Sequence, residues 1–138
     1  MNTKTNVFER LIFLISILLV TASIKAQNNN DLIGKWETTY DDEGEKSYVT
    51  YEFKNVSGNL KCYTLYLKND KGEGVKYNAL AMDKITLNNG KGIAKYKYNE
   101  GNKNYVFDTK LHLKNQSTLY VSYSFWGYSN TEIWKRVK

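Results

Sequence analysis

Cysteine and histidine are nearly absent from this chain of 138 residues, which contains one of each and no proline. One cysteine and one histidine exclude a zinc finger, an iron–sulfur site, a Cys–His dyad and a disulfide framework within the chain. His112 lies between Lys110 and Lys114 on a charged strand face, where we expect it to be solvated. Cys62 has no partner in the chain, and its place within a strand predicts burial.

Clustered positive charge and long apolar runs are also missing beyond residue 26. The formal net charge is +6, but the basic residues are spread along the chain and form no run. A nucleic-acid groove usually needs a basic patch, so we expect no nucleic-acid partner. No later stretch approaches the roughly 18 apolar residues of a membrane helix, which predicts a mature chain without a membrane span. We expect no cofactor and no metal ion.

The N-terminus has the three regions of a secretory signal peptide. Lys4 and Arg10 precede an apolar run over residues 11–20, and small or polar residues follow up to Ala26. The run is too short for an ordinary membrane span of ~20 residues. We therefore predict a signal peptide over residues 1–26, cleavage near Ala26, and one secreted or periplasmic domain over residues 27–138. An uncleaved membrane anchor is the alternative.

Turn-forming residues divide the mature chain into eight short segments. Clusters rich in Gly and Asn, which tolerate the positive φ of tight hairpins, occur at residues 41–44, 55–59, 69–74, 88–90, 99–102, 114–117 and 127–130. The segments between them alternate apolar and polar residues with period two, which indicates half-buried antiparallel strands. No segment has a sustained helical period, although residues 31–33 could form one helical turn.

Eight antiparallel strands joined by hairpins favour closure, because a flat meander would leave two exposed edges. The sequence thus predicts an all-β fold, a single up-and-down antiparallel β-barrel of about eight strands. A two-sheet β-sandwich is the alternative. The segment over residues 75–87 is the least regular, and Asp83 and Lys84 predict a bulge or a break there.

Two short motifs flank the predicted barrel. Gly34 and Trp36 open the first strand, and Trp134 and Arg136 close the last one. A Gly-x-Trp start with an arginine near the end resembles the lipocalin-like (calycin) barrels. The resemblance implies that the tryptophan plugs the barrel floor and that the arginine packs across it, where guanidinium–indole stacking is favourable.

A second resemblance covers most of the mature chain. The stretches over residues 31–51, 58–66 and 105–137 are similar to a family of small secreted bacterial proteins known only as a domain of unknown function. Its members share the signal peptide, the Gly-x-Trp start and a final Trp-x-Arg. The resemblance implies a fold and a compartment, and it implies no reaction.

The predicted inner face of the barrel is strongly aromatic. Alternation places these rings on it: Trp36, Tyr40, Tyr51, Phe53, Tyr77, Tyr96, Tyr98, Tyr105, Phe107, Tyr123 and Phe125. An eight-stranded barrel is just wide enough to be filled by side chains or to hold one small ligand. Buried tyrosine hydroxyls need partners, which favours a polar-rimmed pocket over a dry core. The candidate ligand-binding residues are Tyr40, Tyr51, Tyr77, Tyr96, Tyr98, Tyr105 and Tyr123.

The sequence favours a non-catalytic protein that binds a small, partly apolar molecule or a lipid fragment. The inner faces offer almost no carboxylate or histidine, which argues against acid–base catalysis. One alternative is a cell-envelope protein-interaction module with a solid core. Another is weak glycan binding through outer-face aromatics, for which Tyr48, Tyr120 and Trp126 are the candidates. The acidic segment over residues 41–45 lacks the spacing of a calcium-binding EF-hand loop and is typical of a solvated hairpin tip.

Overall fold

The computed structural model describes residues 27–138, in which one short 3-10 helix precedes eight strands. The helix, η1, covers Asn29–Leu32 and so begins two residues before the predicted helical turn. The strands are β1 (Gly34–Asp42), β2 (Glu45–Val56), β3 (Asn59–Asn69), β4 (Gly74–Asn88), β5 (Lys91–Glu100), β6 (Lys103–Asn115), β7 (Thr118–Phe125) and β8 (Tyr128–Val137). The predicted signal peptide and its cleavage position lie outside the described residues.

The eight strands form a closed barrel in sequence order. Each strand pairs antiparallel with its neighbours in the chain, and β8 returns to pair with β1. This confirms the all-β, up-and-down barrel of eight strands, and the two-sheet sandwich is not formed. Closure leaves no free sheet edge at the paired positions. Between residues 27 and 138, no helix has the length and apolar character needed to cross a membrane.

The seven hairpins occur where the turn-forming clusters predict them, with one shift of position. In the β7–β8 hairpin the turn residues are Trp126 and Gly127, at φ 46° and 78°. The placement of Trp126 on an outer strand face is therefore wrong. Phe125 pairs directly with Tyr128, so only two residues are left for the turn, and a bulky residue must adopt the left-handed conformation.

Strand β4 contains the predicted irregularity without being broken by it. The pairing of β4 with β5 shifts register between Asp83 and Thr86, and Lys84 has a φ of 49°. An extra residue with this conformation is a β-bulge, which bends the strand and increases its twist.

One end of the barrel is closed by packing. At this closed end lie η1 and the β2–β3, β4–β5 and β6–β7 hairpins; the other four hairpins surround the opposite, open end. The largest fully buried side chains near the closed end include Leu32, Trp36, Leu113 and Leu119. The Trp36 indole N–H donates a 2.8 Å hydrogen bond to the carbonyl of Leu32. This buried bond connects η1 to β1.

Arg136, on β8, stabilises the closed end through several contacts. Its guanidinium carbon lies 4.2 Å from the centroid of the Trp36 ring. The same guanidinium donates hydrogen bonds to the carbonyls of Ile33 (2.8 Å), Gln116 (2.6 Å) and Asp31. One side chain thereby joins the residues around η1, the β6–β7 hairpin and the ring that fills the floor.

Two physical constraints require a glycine at the first position of the Gly-x-Trp motif. Gly34 has a φ of +124°, a conformation that L side chains rarely adopt. A Cβ at this position would also lie 2.9 Å from Nη1 of Arg136, the atom that donates to Ile33. The motif therefore leaves room for the arginine as well as starting the strand.

The lone cysteine and the lone histidine occupy opposite environments. Cys62 is fully buried on β3 opposite Phe53, and burial raises the pKa of its thiol well above the ordinary value. His112 is exposed on β6, with its ring edge facing Tyr120. The thiol is thus part of the core, and the imidazole is on the surface as expected.

We predict that Gly34→Ala destabilises the protein more than Gly44→Ala does. Both glycines have positive φ, so both variants incur backbone strain of about 1–2 kcal/mol. Nothing lies within 4 Å of a Cβ at Gly44, whereas at Gly34 the Arg136 contact must also yield, at a further cost of about 1.5–3 kcal/mol. Urea unfolding followed by tryptophan fluorescence measures the difference. Equal losses for the two variants would contradict this role of Arg136.

Candidate functional site

Strands β1 and β8 separate above the closed end. They pair only where Lys35, Trp36 and Glu37 face residues 135–137, whereas β1 pairs with β2 along its whole length. Toward the open end the Thr38 hydroxyl donates a 3.2 Å hydrogen bond to the carbonyl of Ile133. The gap is a cleft of about 540 Å³ in the barrel wall. We call it the β1–β8 cleft.

A buried carboxylate lies at the inner side of this cleft. Glu132, on β8, is 7% exposed and accepts hydrogen bonds from three side chains. Its Oε1 accepts from the hydroxyls of Tyr40 (2.8 Å) and Tyr123 (2.9 Å). Its Oε2 accepts from the indole N–H of Trp134 at 2.8 Å. Three donors and no competing acceptor are what a carboxylate needs when it leaves water.

Aromatic rings extend the site across the barrel. The ring of Tyr51 stacks on Trp134 with centroids 4.0 Å apart and planes 6° from parallel. The hydroxyls of Tyr51 and Tyr96 are hydrogen-bonded at 3.1 Å, and the Tyr96 ring lies 5.9 Å from that of Tyr123. These contacts make one cluster from β1, β2, β5, β7 and β8. We call it the Glu132 cluster.

Burial keeps the tyrosines of this cluster protonated. It is the main cause that raises the pKa values of Tyr40, Tyr51, Tyr96 and Tyr123 above the usual value for a phenol. For Tyr40 the charge of Glu132 adds to the effect, and for Tyr96 the neighbouring Tyr51 does. The phenols of Tyr40 and Tyr123 therefore act as hydrogen-bond donors to the carboxylate.

Sequence reasoning missed Glu132, although a signal for it was present. Residues on the same face of a strand recur at every second position. From the buried Trp134, that rule places Glu132 and Asn130 inside the barrel, and the structure has Glu132 buried there. The expectation that the inner faces hold almost no carboxylate is wrong at this position. A charged residue type suggested the outside, but Tyr40 donates to Glu132 from β1, 92 residues away, while Tyr123 and Trp134 donate from β7 and from β8 itself.

A second group of rings runs from the Glu132 cluster to the rim of the open end. Phe107 packs on Phe125 with ring centroids 4.9 Å apart, and Tyr105 stacks on Phe107 at 6.2 Å. Tyr98 follows Tyr105 at 6.3 Å. We call these four rings the aromatic ladder. Tyr98 is 49% exposed although the alternation of β5 puts it on the inner face, so this side of the barrel is open to solvent.

The seven candidate tyrosines fall into three groups. Four belong to the Glu132 cluster: Tyr40, Tyr51, Tyr96 and Tyr123. Tyr98 and Tyr105 belong to the aromatic ladder. Tyr77 is 44% exposed on β4 and, within residues 27–138, has no ring contact with the other six. The structural candidates Gly34, Trp36 and Arg136 meet at the closed end, and Trp134 lies beside Glu132.

The three outer-face aromatics do not come together. Tyr48 donates a hydrogen bond to Asp70 in the β3–β4 loop. Tyr120 accepts one from Lys114 on a different part of the surface. Trp126 is 89% exposed at the tip of the β7–β8 hairpin, where its nearest ring is that of Phe125. No contact among the described residues joins these three into a single patch.

Negative charge is concentrated beside the cleft. Asp41 lines the β1–β8 cleft, and the adjoining β1–β2 hairpin carries Asp42, Glu43 and Glu45 against the single Lys46. All of these side chains are exposed. Within residues 27–138 no group of three or more His, Cys, Asp or Glu side chains could hold a metal ion. The hairpin is therefore a solvated acidic tip.

Comparisons of the chain with protein-family models, with curated proteins and with solved structures found no match. The barrel is consistent with a lipocalin-like fold in its strand number, its order and its antiparallel closure.

We predict that the protein loses stability as the pH rises above about 10. Below that value both states hold their phenol protons; above it the unfolded chain releases protons that the buried tyrosines retain. Each such tyrosine then lowers the free energy of unfolding by up to about 1.4 kcal/mol per pH unit. Replacing Tyr51 and Tyr96 together by Phe makes this decline shallower, while Tyr77→Phe, at an exposed site, leaves it unchanged. Urea unfolding at pH about 8 and about 11 tests this. An equal loss of unfolding free energy between the two pH values in the unmodified protein, the double variant and Tyr77→Phe would contradict the prediction.

Proposed function

We propose that this protein is a non-catalytic binding protein that holds one small, partly apolar molecule in the open half of its barrel. The observation that carries the proposal is the aromatic ladder, whose rings belong to the inner face and yet reach solvent at Tyr98. Apolar surface that a fold leaves open in a concavity is typical of a ligand site. The packed closed end supplies the rigid floor beneath it.

The polar groups of the site are few and held in place. Glu132 and the tyrosines around it lie at the base of the ladder, because Tyr123 and Phe125 are on the same face of β7. A wall of rings with a small number of oriented polar groups suits a ligand with an apolar body and one polar end. Both oxygens of Glu132 accept hydrogen bonds from side chains, which suits a binding role better than proton transfer.

The proposed compartment is the periplasm or the exterior of a bacterial cell. It rests on the signal-peptide pattern of residues 1–26 and on the resemblance to small secreted bacterial proteins. We also propose that the chain shares the lipocalin-like barrel of those proteins, with the Gly-x-Trp floor described above. A binding protein in that compartment would encounter lipid fragments and small metabolites.

A second candidate function rests on Trp126. An indole exposed to 89% at a hairpin tip offers both of its faces to a partner. Such a ring could stack on a sugar or insert into a protein surface in the cell envelope. Binding of this kind would depend on Trp126 and would not need the interior of the barrel.

We expect the folded domain of residues 27–138 to bind the neutral apolar dye N-phenyl-1-naphthylamine at one saturable site. Phe125→Ala removes a central ring of the ladder and should weaken the affinity about tenfold. Ile93→Ala, at a 61% exposed apolar position on the outer face, is the matched control and should leave it unchanged. A fluorescence titration of the three proteins measures this.

Absence of saturable binding would contradict the proposed function. Equal losses for Phe125→Ala and Ile93→Ala would contradict the assignment of the ladder. Loss of binding on Trp126→Ala with no effect of Phe125→Ala would favour the second candidate.

A further inference from the structure

The Glu132 cluster buries a carboxylate without a cation. None of the ion pairs among residues 27–138 includes Glu132; its three partners are two phenols and an indole. Removing a charge from water without an opposite charge is costly, and neutral donors offset that cost only in part. A ligand that brings a positive charge to this position would therefore be stabilised by it.

The rings around Glu132 favour the same kind of ligand. Tyr96 and Tyr123, which are only partly buried, lie next to the carboxylate, whereas Tyr51 and Trp134 are buried and stack on each other. The face of an aromatic ring attracts a cation through its quadrupole, and the attraction is strongest where water is excluded. An anionic head group would meet both the carboxylate and these ring faces unfavourably.

The β1–β8 cleft gives a cation a route to the carboxylate. The cleft contains Tyr40 and Glu132 at its inner side and Asp41 at its upper edge. The acidic β1–β2 tip, which carries Lys46 as its one basic residue, stands next to it, and an excess of one sign of charge beside an opening raises the local concentration of the opposite charge. This local sign is the reverse of the net charge of +6 of the whole chain.

Two lysines near the cleft have partners other than Glu132. Lys135 donates its ammonium to the hydroxyl of Thr118 at 2.9 Å. Lys68 pairs with Glu37, another carboxylate on the cleft, at 3.3 Å. Neither ammonium forms an ion pair with Glu132, so the charge at the inner side of the cleft is left for a ligand.

We propose that the ligand of this barrel is an organic monocation, an amine or alkylammonium with an apolar body. This deepens the proposed function and depends on it. The ammonium lies against Glu132 and the hydroxyl of Tyr40, and the apolar body extends along the aromatic ladder. The carboxylate selects for positive charge, and the rings select for an apolar chain or ring.

Three probes that share one apolar body test the proposal: 4-phenylbutylamine, 4-phenylbutanol and 4-phenylbutyrate. Isothermal titration calorimetry at pH about 7 should give an affinity for the amine at least about tenfold above that for the alcohol, and the butyrate should bind most weakly. Glu132→Gln keeps the size of the side chain and should abolish the preference for the amine, measured as the ratio of amine to alcohol affinity in that variant. Glu52→Gln, at a carboxylate that pairs with Lys54 and does not line the cleft, should keep the preference.

The outcomes separate this inference from the proposed function. Equal binding of amine and alcohol to the unmodified protein, or an unchanged preference in Glu132→Gln, overturns the cation assignment while binding of the neutral dye still supports the barrel site. If neither the dye nor any of the three probes binds, both the cation assignment and the proposed function are overturned. If Glu132→Gln does not fold, the ratio of amine to alcohol affinity in the unmodified protein decides the question alone.

Discussion

The structure depends on how β8 is joined back to β1. Direct strand pairing spans only three positions, and Arg136 reinforces it there, because it stacks on Trp36 and donates to the carbonyls of Ile33 and Gln116. Gly34 is required because a side chain there would meet the guanidinium. The barrel is consequently tight at its closed end and separated at the seam above it, and this asymmetry produces the β1–β8 cleft without any insertion or extra loop.

The Glu132 cluster is the second consequence of that short seam. Where β1 and β8 no longer share backbone hydrogen bonds, the hydroxyl of Tyr40 on β1 donates to the carboxylate of Glu132 on β8. This side-chain hydrogen bond helps to hold the two strands together. The cluster thus stabilises the wall and prepares a binding group in the same place. A hydrocarbon at position 132 could fill the volume, but it would satisfy none of the donors of Tyr40, Tyr123 and Trp134, and burying those unpaired would be costly. The donors that need this carboxylate come from three strands, β1, β7 and β8.

Much of the fold could be predicted from the sequence because its signals are local. Period-two alternation and seven turn clusters define eight strands, and the bulge near Lys84 is visible as a break in that period. The Glu132 cluster could not be predicted with the same ease, because one donor to the buried carboxylate, Tyr40, comes from β1, 92 residues away in the chain. The left-handed Trp126 was missed for a different reason: its residue type disfavours the turn that the pairing of Phe125 with Tyr128 imposes. Which inner-face tyrosines are buried and which are exposed follows from the separation of strands at the open end, and residue type does not encode that.

A ligand that enters the open half of the barrel beside Glu132 should leave the closed end untouched. The three tryptophans report on it separately, because Trp134 donates to Glu132, Trp36 donates to Leu32 at the floor, and Trp126 is exposed at a hairpin tip. The most direct measurement is the indole N–H region of a ¹H–¹⁵N NMR spectrum during titration with 4-phenylbutylamine. Binding beside Glu132 should shift the Trp134 signal progressively and leave the Trp36 signal unchanged. A shift confined to Trp126, or one centred on Trp36, would contradict it.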